Sequence, residues 1–173
     1  MNITLIGMAG AGKTSIGKEL ANKMKAKTKF SYKLIDTDEL IEKKEGMKLQ
    51  QIIDTRGDNE FLKLEEKTIL KLGSKINNSI IAPGGSVVYC PEAMTFLKQN
   101  SEVVFLDSDL APLLKRVKNK EERGIVGLKE KSFEQLFKER LIMYRRYADL
   151  SIRMSENPTA GRIANEIIRK LNE

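Results

Sequence analysis

The run Gly7-Met8-Ala9-Gly10-Ala11-Gly12-Lys13-Thr14 fits the pattern G-x-x-x-x-G-K-[ST] without a gap. The chemistry of that pattern is phosphate binding. Its glycines let successive backbone N–H groups turn inward around phosphate oxygens, and a helix opening at Thr14 adds the positive end of its dipole. Lys13 is expected to reach the β- and γ-phosphates, and the Thr14 hydroxyl to bind Mg²⁺. A glycine-rich turn that binds nothing would explain the glycines but not Lys13 and Thr14 at these offsets. Gly10, Ala11, Gly12, Lys13, Thr14 and Ser15 are therefore the nucleotide-binding candidates. The loop alone does not separate an ATPase, a GTPase and a kinase. A switch GTPase would need a guanine-reading Asn/Thr-Lys-x-Asp, which this chain lacks, and the short chain favours a small kinase.

Asp36-Thr37-Asp38 follows the apolar run Lys33-Leu34-Ile35. Carboxylates at i and i+2 on an extended tip serve different partners. Asp36 is placed to hold Mg²⁺ through water beside Thr14. Asp38 is placed to meet an acceptor hydroxyl, as hydrogen-bond acceptor or general base. Helix capping is the competing role, because an Asp before Glu39-Leu40-Ile41 is a good N-cap. Further on, Gly84-Gly85 after the buried run Ile80-Ile81-Ala82 permits close backbone approach to a ligand. The charged stretch 119–131, with Gly124 and Gly127, reads as a lid that excludes water from a transfer. Arg123 on that lid would stabilise charge on the γ-phosphoryl oxygens.

The elements that must position these residues alternate. Strands are expected at Ile3–Ile6, Lys33–Ile35, Ile80–Ala82, Val103–Leu106 and Leu150–Met154. Helices are expected at Thr14–Met24, at Leu40–Lys71 in pieces broken at Gly46 and Gly57, and at Glu92–Gln99 opened by Pro91. Others are expected at Ala111–Lys118, at Phe133–Tyr147 and from Pro158 to about Leu171. Strand–helix alternation means right-handed crossovers and a mainly parallel five-stranded sheet with helices on both faces, a three-layer α/β/α architecture of the P-loop NTPase type. Ligands then sit at the carboxyl ends of the strands.

A length of 173 residues is about one domain, read as a single kinase domain over 1–173. Its 31 Lys and Arg against 24 Asp and Glu give a net charge of +7. The lysines are dispersed, and six Phe and four Tyr are few for stacking bases, so no nucleic-acid partner is expected. A basic field also suits a small anionic ligand. One cysteine, Cys90, and no histidine exclude a disulfide framework and Ser-His or Cys-His catalysis. Cys90 reads as a small buried or partly exposed thiol. No apolar run approaches a membrane span, and the N-terminus does not read as a signal peptide. A cytoplasmic monomer without membrane contact is expected.

These residues resemble the shikimate kinase family of small metabolite kinases. The match continues through Gln51-Ile52-Ile53, Gly57-Asp58-Asn59-Glu60-Phe61 with Glu65, Pro83-Gly84-Gly85-Ser86, Arg116, Arg123, and Arg140 with Tyr144. The resemblance implies ATP-dependent phosphorylation of shikimate with Mg²⁺. It implies acceptor-binding helices at about 38–73, Asp36 near the metal and Asp38 on acceptor hydroxyls. Gly84 and Gly85 would bring backbone N–H groups to the acceptor, Arg116 would pack on adenine, Arg123 would close over the phosphates, and Arg140 would pair with the acceptor carboxylate. Three positions depart from the family pattern. Leu62 stands where the family has an arginine that grips the carboxylate, and Arg and Leu are not exchangeable there. Ser86 adds a side chain to a Gly-Gly-Gly turn, beside the same carboxylate. Gly124 replaces the lid proline. Compensation by Arg56 or Lys63 leaning in is one expectation. Two others are a small polyol acceptor without that carboxylate, and an ATP-binding module that has lost transfer.

Overall fold

The computed structural model describes residues 1–73, 76–117, 124–156 and 159–173. Among them are five strands and seven α-helices. In order they are β1 (Ile3–Ile6), α1 (Lys13–Thr28), β2 (Lys33–Asp36), α2 (Thr37–Glu45), α3 (Leu49–Leu70) and β3 (Ser79–Ala82). After these come α4 (Pro91–Asn100), β4 (Glu102–Asp107), α5 (Leu110–Arg116), α6 (Phe133–Tyr147), β5 (Leu150–Arg153) and α7 (Ala160–Lys170).

The sheet order is β2-β3-β1-β4-β5, and every neighbouring pair is parallel. The register sets Ile3 beside Ile80 and Glu102, and Asp36 beside Ala82. The chain leaves β1 toward β2 on one side and leaves β3 toward β4 on the other. Crossovers of one hand running in opposite directions put their helices on opposite faces. α1 accordingly packs against α7, and α3 against α4. The carboxyl ends of β1, β2 and β3 share one edge, where chain direction reverses and ligands bind in such sheets.

Apolar residues account for both faces. Ile3, Leu5, Ile6, Ile80, Ile81, Val103 and Val104 are wholly enclosed within one large core. A smaller cluster forms under α2 and α3 from Ile41, Leu49, Ile52, Ile53, Phe61 and Val126. Val126 comes from the expected lid, so the described part of that segment, from Gly124 onward, is tied to α2 and α3.

Several boundaries differ from the sequence reading for local reasons. α2 begins at Thr37, not Leu40, because the Asp36 carboxylate accepts from the backbone N–H groups of Asp38 and Glu39. The capping role weighed for Asp38 belongs to Asp36. α1 extends past Met24 to Thr28, beyond its buried face, and ends at Lys29 in a left-handed conformation. A 3₁₀ turn at Val87–Tyr89 was not foreseen. The breaks do fall at Gly46, which closes α2 with φ 67°, and at Gly57, a kink with φ 80° within α3. Pro158 lies outside the described residues, and Thr159 caps α7.

Leu5 sits at the centre of the sheet with no solvent exposure. Leu5→Ala should lower unfolding free energy by about 3 kcal/mol, read as a shift of the urea midpoint at unchanged slope.

Candidate active site

β1 delivers the chain directly into the loop at Gly7, and α1 starts at Lys13. Gly10 and Gly12 hold φ of 85° and 88°, a region that L side chains avoid. A Cβ on Gly10 would also meet Val117 Cγ2 at 2.6 Å. The loop closes on itself through Ala11 N–H to Met8 O at 3.1 Å. Lys13 Nζ folds back to donate to Gly7 O at 2.8 Å and Met8 O at 3.2 Å. A cavity of about 510 Å³ lies over the loop, lined by Gly10, Gly12, Lys13, Thr14, Ser15 and Arg116, with Asp36 and Asp38 on the β2 side. Ala11 is buried and is not among the residues that line it. Arg116 also donates to Glu156 O at 2.8 Å.

Thr14 Oγ1 donates to Asp36 Oδ2 at 2.6 Å. This hydroxyl and carboxylate are the hard oxygen donors that Mg²⁺ takes while keeping waters and phosphates as its other ligands.

Behind the loop lies a second, smaller cavity of about 70 Å³. Asp38, Gly84, Gly85, Ser86, Arg140 and Val126 line it, together with Phe61, which serves both this wall and the smaller core. Lys13, Asp38 and Ala9 border both cavities. The phosphate side and the inner side thus meet at one cation and one carboxylate. At 70 Å³ the inner cavity is well short of the few hundred Å³ of ordinary small-molecule sites.

The electrostatics follow from desolvation. Burial pushes the Asp38 carboxyl up to about 6, against the pull of Lys13 and with help from Asp36 and Glu42. Burial likewise pulls the Lys13 ammonium below its usual value, opposed by Asp38 and then Asp36. Glu65 is enclosed completely. Burial, then the Asp38 charge, pushes its carboxyl up to about 8. Asp38 Oδ1 and Glu65 Oε1 are both buried without a hydrogen-bond partner among the described residues. Both face Gly84, where a Cβ would lie 2.9 Å and 2.5 Å from them. Glycine at 84 is therefore required by close approach, not by backbone angle.

The three departures from the family pattern each have a physical setting. Leu62 does not line the inner cavity. It lines a neighbouring groove of about 480 Å³ with Tyr89, Val126 and Glu139. Arg56 and Lys63 do not lean in to replace an arginine there: Arg56 pairs with Glu45 and Lys63 with Glu60, each at 2.7 Å. Ser86 lines the cavity, but its hydroxyl is engaged by Glu65 Oε2 at 2.7 Å instead of reaching toward Arg140. Gly124 has φ 63° and donates its N–H to Gln50 Oε1 at 3.0 Å, and neither that angle nor that donor exists in proline. Gly127 N–H donates to Asp58 Oδ2 at 2.8 Å. Within the expected lid 119–131, the described part from Gly124 onward is thus docked on α3. Arg123 lies outside the described residues.

Sequence reasoning left Glu65 and Tyr89 without roles, and missed Gln50. Glu65 stood in the family match, and its i+3 spacing from position 62 was the available signal. Cys90 is buried, its Sγ 3.5 Å from Leu62 O, and burial pushes its thiol up, away from nucleophilic use.

A family model described as shikimate kinase matches residues 9–172. The shikimate kinase of Sulfurihydrogenibium sp. is 35% identical over 170 residues, covering 98% of this chain and 97% of that protein. That of Caldanaerobacter subterraneus subsp. tengcongensis is 34% identical, covering 97% and 94%. Among solved structures, shikimate kinase from Acinetobacter baumannii in complex with shikimate superposes with a TM-score of 0.86 at 29% identity, over 99% of this chain and 92% of that one. Shikimate kinase from Aquifex aeolicus gives 0.80 at 29%, over 99% and 96%.

Two measurements check this geometry. Gly124→Pro removes the donor to Gln50 and cannot reach φ 63°, so amide hydrogen exchange should lose protection at residues 125–128 and at the start of α3. Glu65, a carboxyl raised above its unfolded value near 4.5, is most favourable to folding below that value. Its contribution falls as pH climbs toward 8. Glu65→Gln should therefore gain Tm relative to the unaltered chain as pH rises from 5 to 8.

Proposed function

The chain belongs to the shikimate kinase family, and we propose that it transfers the γ-phosphoryl group of ATP to a hydroxyl of shikimate. Membership makes it a small-molecule kinase. The observation that carries the acceptor is Arg140. The residue is 1% exposed and lines the inner cavity. Its hydrogen bonds run to neutral oxygens, Val126 O and the Tyr89 hydroxyl. Among the described residues no carboxylate lies within ion-pair distance of it. A buried cation so placed calls for an anionic partner, which a carboxylate-bearing acceptor supplies. This favours shikimate over an uncharged polyol, and over a module that has lost transfer.

In this reading the triphosphate lies along residues 7–14, on backbone N–H groups and the start of α1. Lys13 leaves the carbonyls of Gly7 and Met8 for the phosphate oxygens. Thr14 and Asp36 would hold Mg²⁺, which when bound neutralises charge on the β- and γ-oxygens. Asp38 accepts the hydrogen of the acceptor hydroxyl. As the new P–O bond forms and the bond to ADP breaks, that proton passes to the Asp38 carboxylate. Gly84 and Gly85 let the backbone approach the ring. Arg140 orients the acceptor through its carboxylate. Arg116 packs beside the base, and Arg123 stabilises charge on the transferring group.

We read residues 1–173 as one kinase domain, with acceptor helices at about 38–73 and a lid at about 119–131. Among the described residues no helix is long and apolar enough to cross a membrane. A monomeric cytoplasmic enzyme is the corresponding reading, in keeping with a single buried reduced cysteine.

ADP release from Mg-ATP with shikimate, beside a no-acceptor control and uncharged polyols, tests the assignment. Turnover should require shikimate, and turnover only with an uncharged polyol would refute it. Asp38→Asn should cut kcat about 10²- to 10⁴-fold while leaving ATP affinity nearly unchanged. A fall in ATP affinity instead would assign Asp38 to the metal.

A further inference from the structure

With Leu62 facing the groove and Arg56 and Lys63 paired elsewhere, Arg140 and Lys13 are, among the described residues, the cations that border the inner cavity. Arginine recognises a carboxylate through the plane of its guanidinium, so holding that plane matters as much as supplying the charge. The plane of Arg140 is fixed at two nitrogens. Nη2 donates to Val126 O at 2.6 Å, and Nε donates to the Tyr89 hydroxyl at 3.3 Å. The Tyr89 ring lies under the guanidinium, 5.1 Å from Cζ, a cation–π distance. Nη1 is left against Gly85, where a Cβ would come within 3.4 Å of it.

The Tyr89 hydroxyl is itself committed. It donates to Glu139 Oε1 at 2.6 Å, and Glu139 Oε2 accepts from Lys131 Nζ at 2.5 Å. A carboxylate only accepts, so the hydroxyl proton points to Glu139 and its lone pair is turned to Arg140. Leu62 and Tyr89 line the same groove, which meets the inner cavity at Val126.

We propose that Tyr89 is a positioning residue for the acceptor: its ring and hydroxyl hold the Arg140 guanidinium in the plane that meets the acceptor carboxylate, in a chain that has leucine at position 62. The inference rests on the shikimate kinase reading above and assigns part of its acceptor specificity to this tyrosine. Glu139 and Lys131 act through it, by orienting its hydroxyl.

Steady-state kinetics with ATP and shikimate test it. Tyr89→Phe keeps the ring and removes the hydroxyl, and Tyr89→Leu removes both. Shikimate KM should rise about 5- to 10-fold in the first and about 30-fold in the second. The KM for ATP and kcat should stay within about twofold, since Tyr89 touches neither the loop nor Asp38. Shikimate methyl ester, used as a competitor, lacks the anionic group, so its inhibition constant should change less than about twofold between the unaltered chain and Tyr89→Phe. Three results would overturn the proposal: a shikimate KM unchanged in both variants, a parallel rise in the KM for ATP, or equal sensitivity of the ester. Failure of the unaltered chain to turn over shikimate is a different result, and it would overturn the functional reading on which the proposal stands.

Discussion

Lys13, Asp38 and Arg140 border a cavity of about 70 Å³, with Glu65 just behind Gly84. Removing water from four ionisable groups at once is costly unless each has a partner. Much of the surrounding structure supplies those partners. Lys13 rests on the carbonyls of Gly7 and Met8. Ser86 serves one oxygen of Glu65. Val126 and Tyr89 serve Arg140. What is left over, Asp38 Oδ1 and Glu65 Oε1, faces inward without a partner among the described residues. The raised carboxyls of Asp38 and Glu65 express the same deficit.

The segment after Arg123 takes part in the same enclosure. Val126 completes the smaller core and supplies a carbonyl to Arg140, while Gly124 and Gly127 tie the turn to Gln50 and Asp58. The same residues that shield the charges therefore close the cavity. Access and shielding are coupled, because the segment cannot leave without exposing the apolar cluster under α2 and α3. A proline at 124 could not make this contact, which relates the Gly124 departure to a hydrogen bond that family members with proline cannot form there.

Leu62 and Ser86 are easier to understand together. They stand 24 positions apart in the chain (86 − 62), yet Glu65 connects them. It is one helical turn from position 62 and within hydrogen-bond distance of Ser86. Leucine at 62 offers Glu65 no charge, and the Ser86 hydroxyl of the glycine turn donates to Glu65 Oε2.

The amino-acid sequence by itself determined whatever depends on near neighbours. Gly10, Gly12, Lys13 and Thr14 act through backbone angles and a helix start within eight residues, so the phosphate loop was legible outright. Gly46 and Gly57 marked real breaks, and strand–helix alternation was enough for a parallel three-layer fold. Tertiary structure decided the rest, because those contacts join residues distant in sequence and depend on packing. Asp36, and not Asp38, caps α2. Ser86 turns to Glu65 across 21 positions, and Tyr89 reaches Arg140 across 51. Nothing local in a tyrosine after two valines signals a guanidinium beneath which it will lie. Only the closure of β3, α3 and α6 on one another brings them to the same wall.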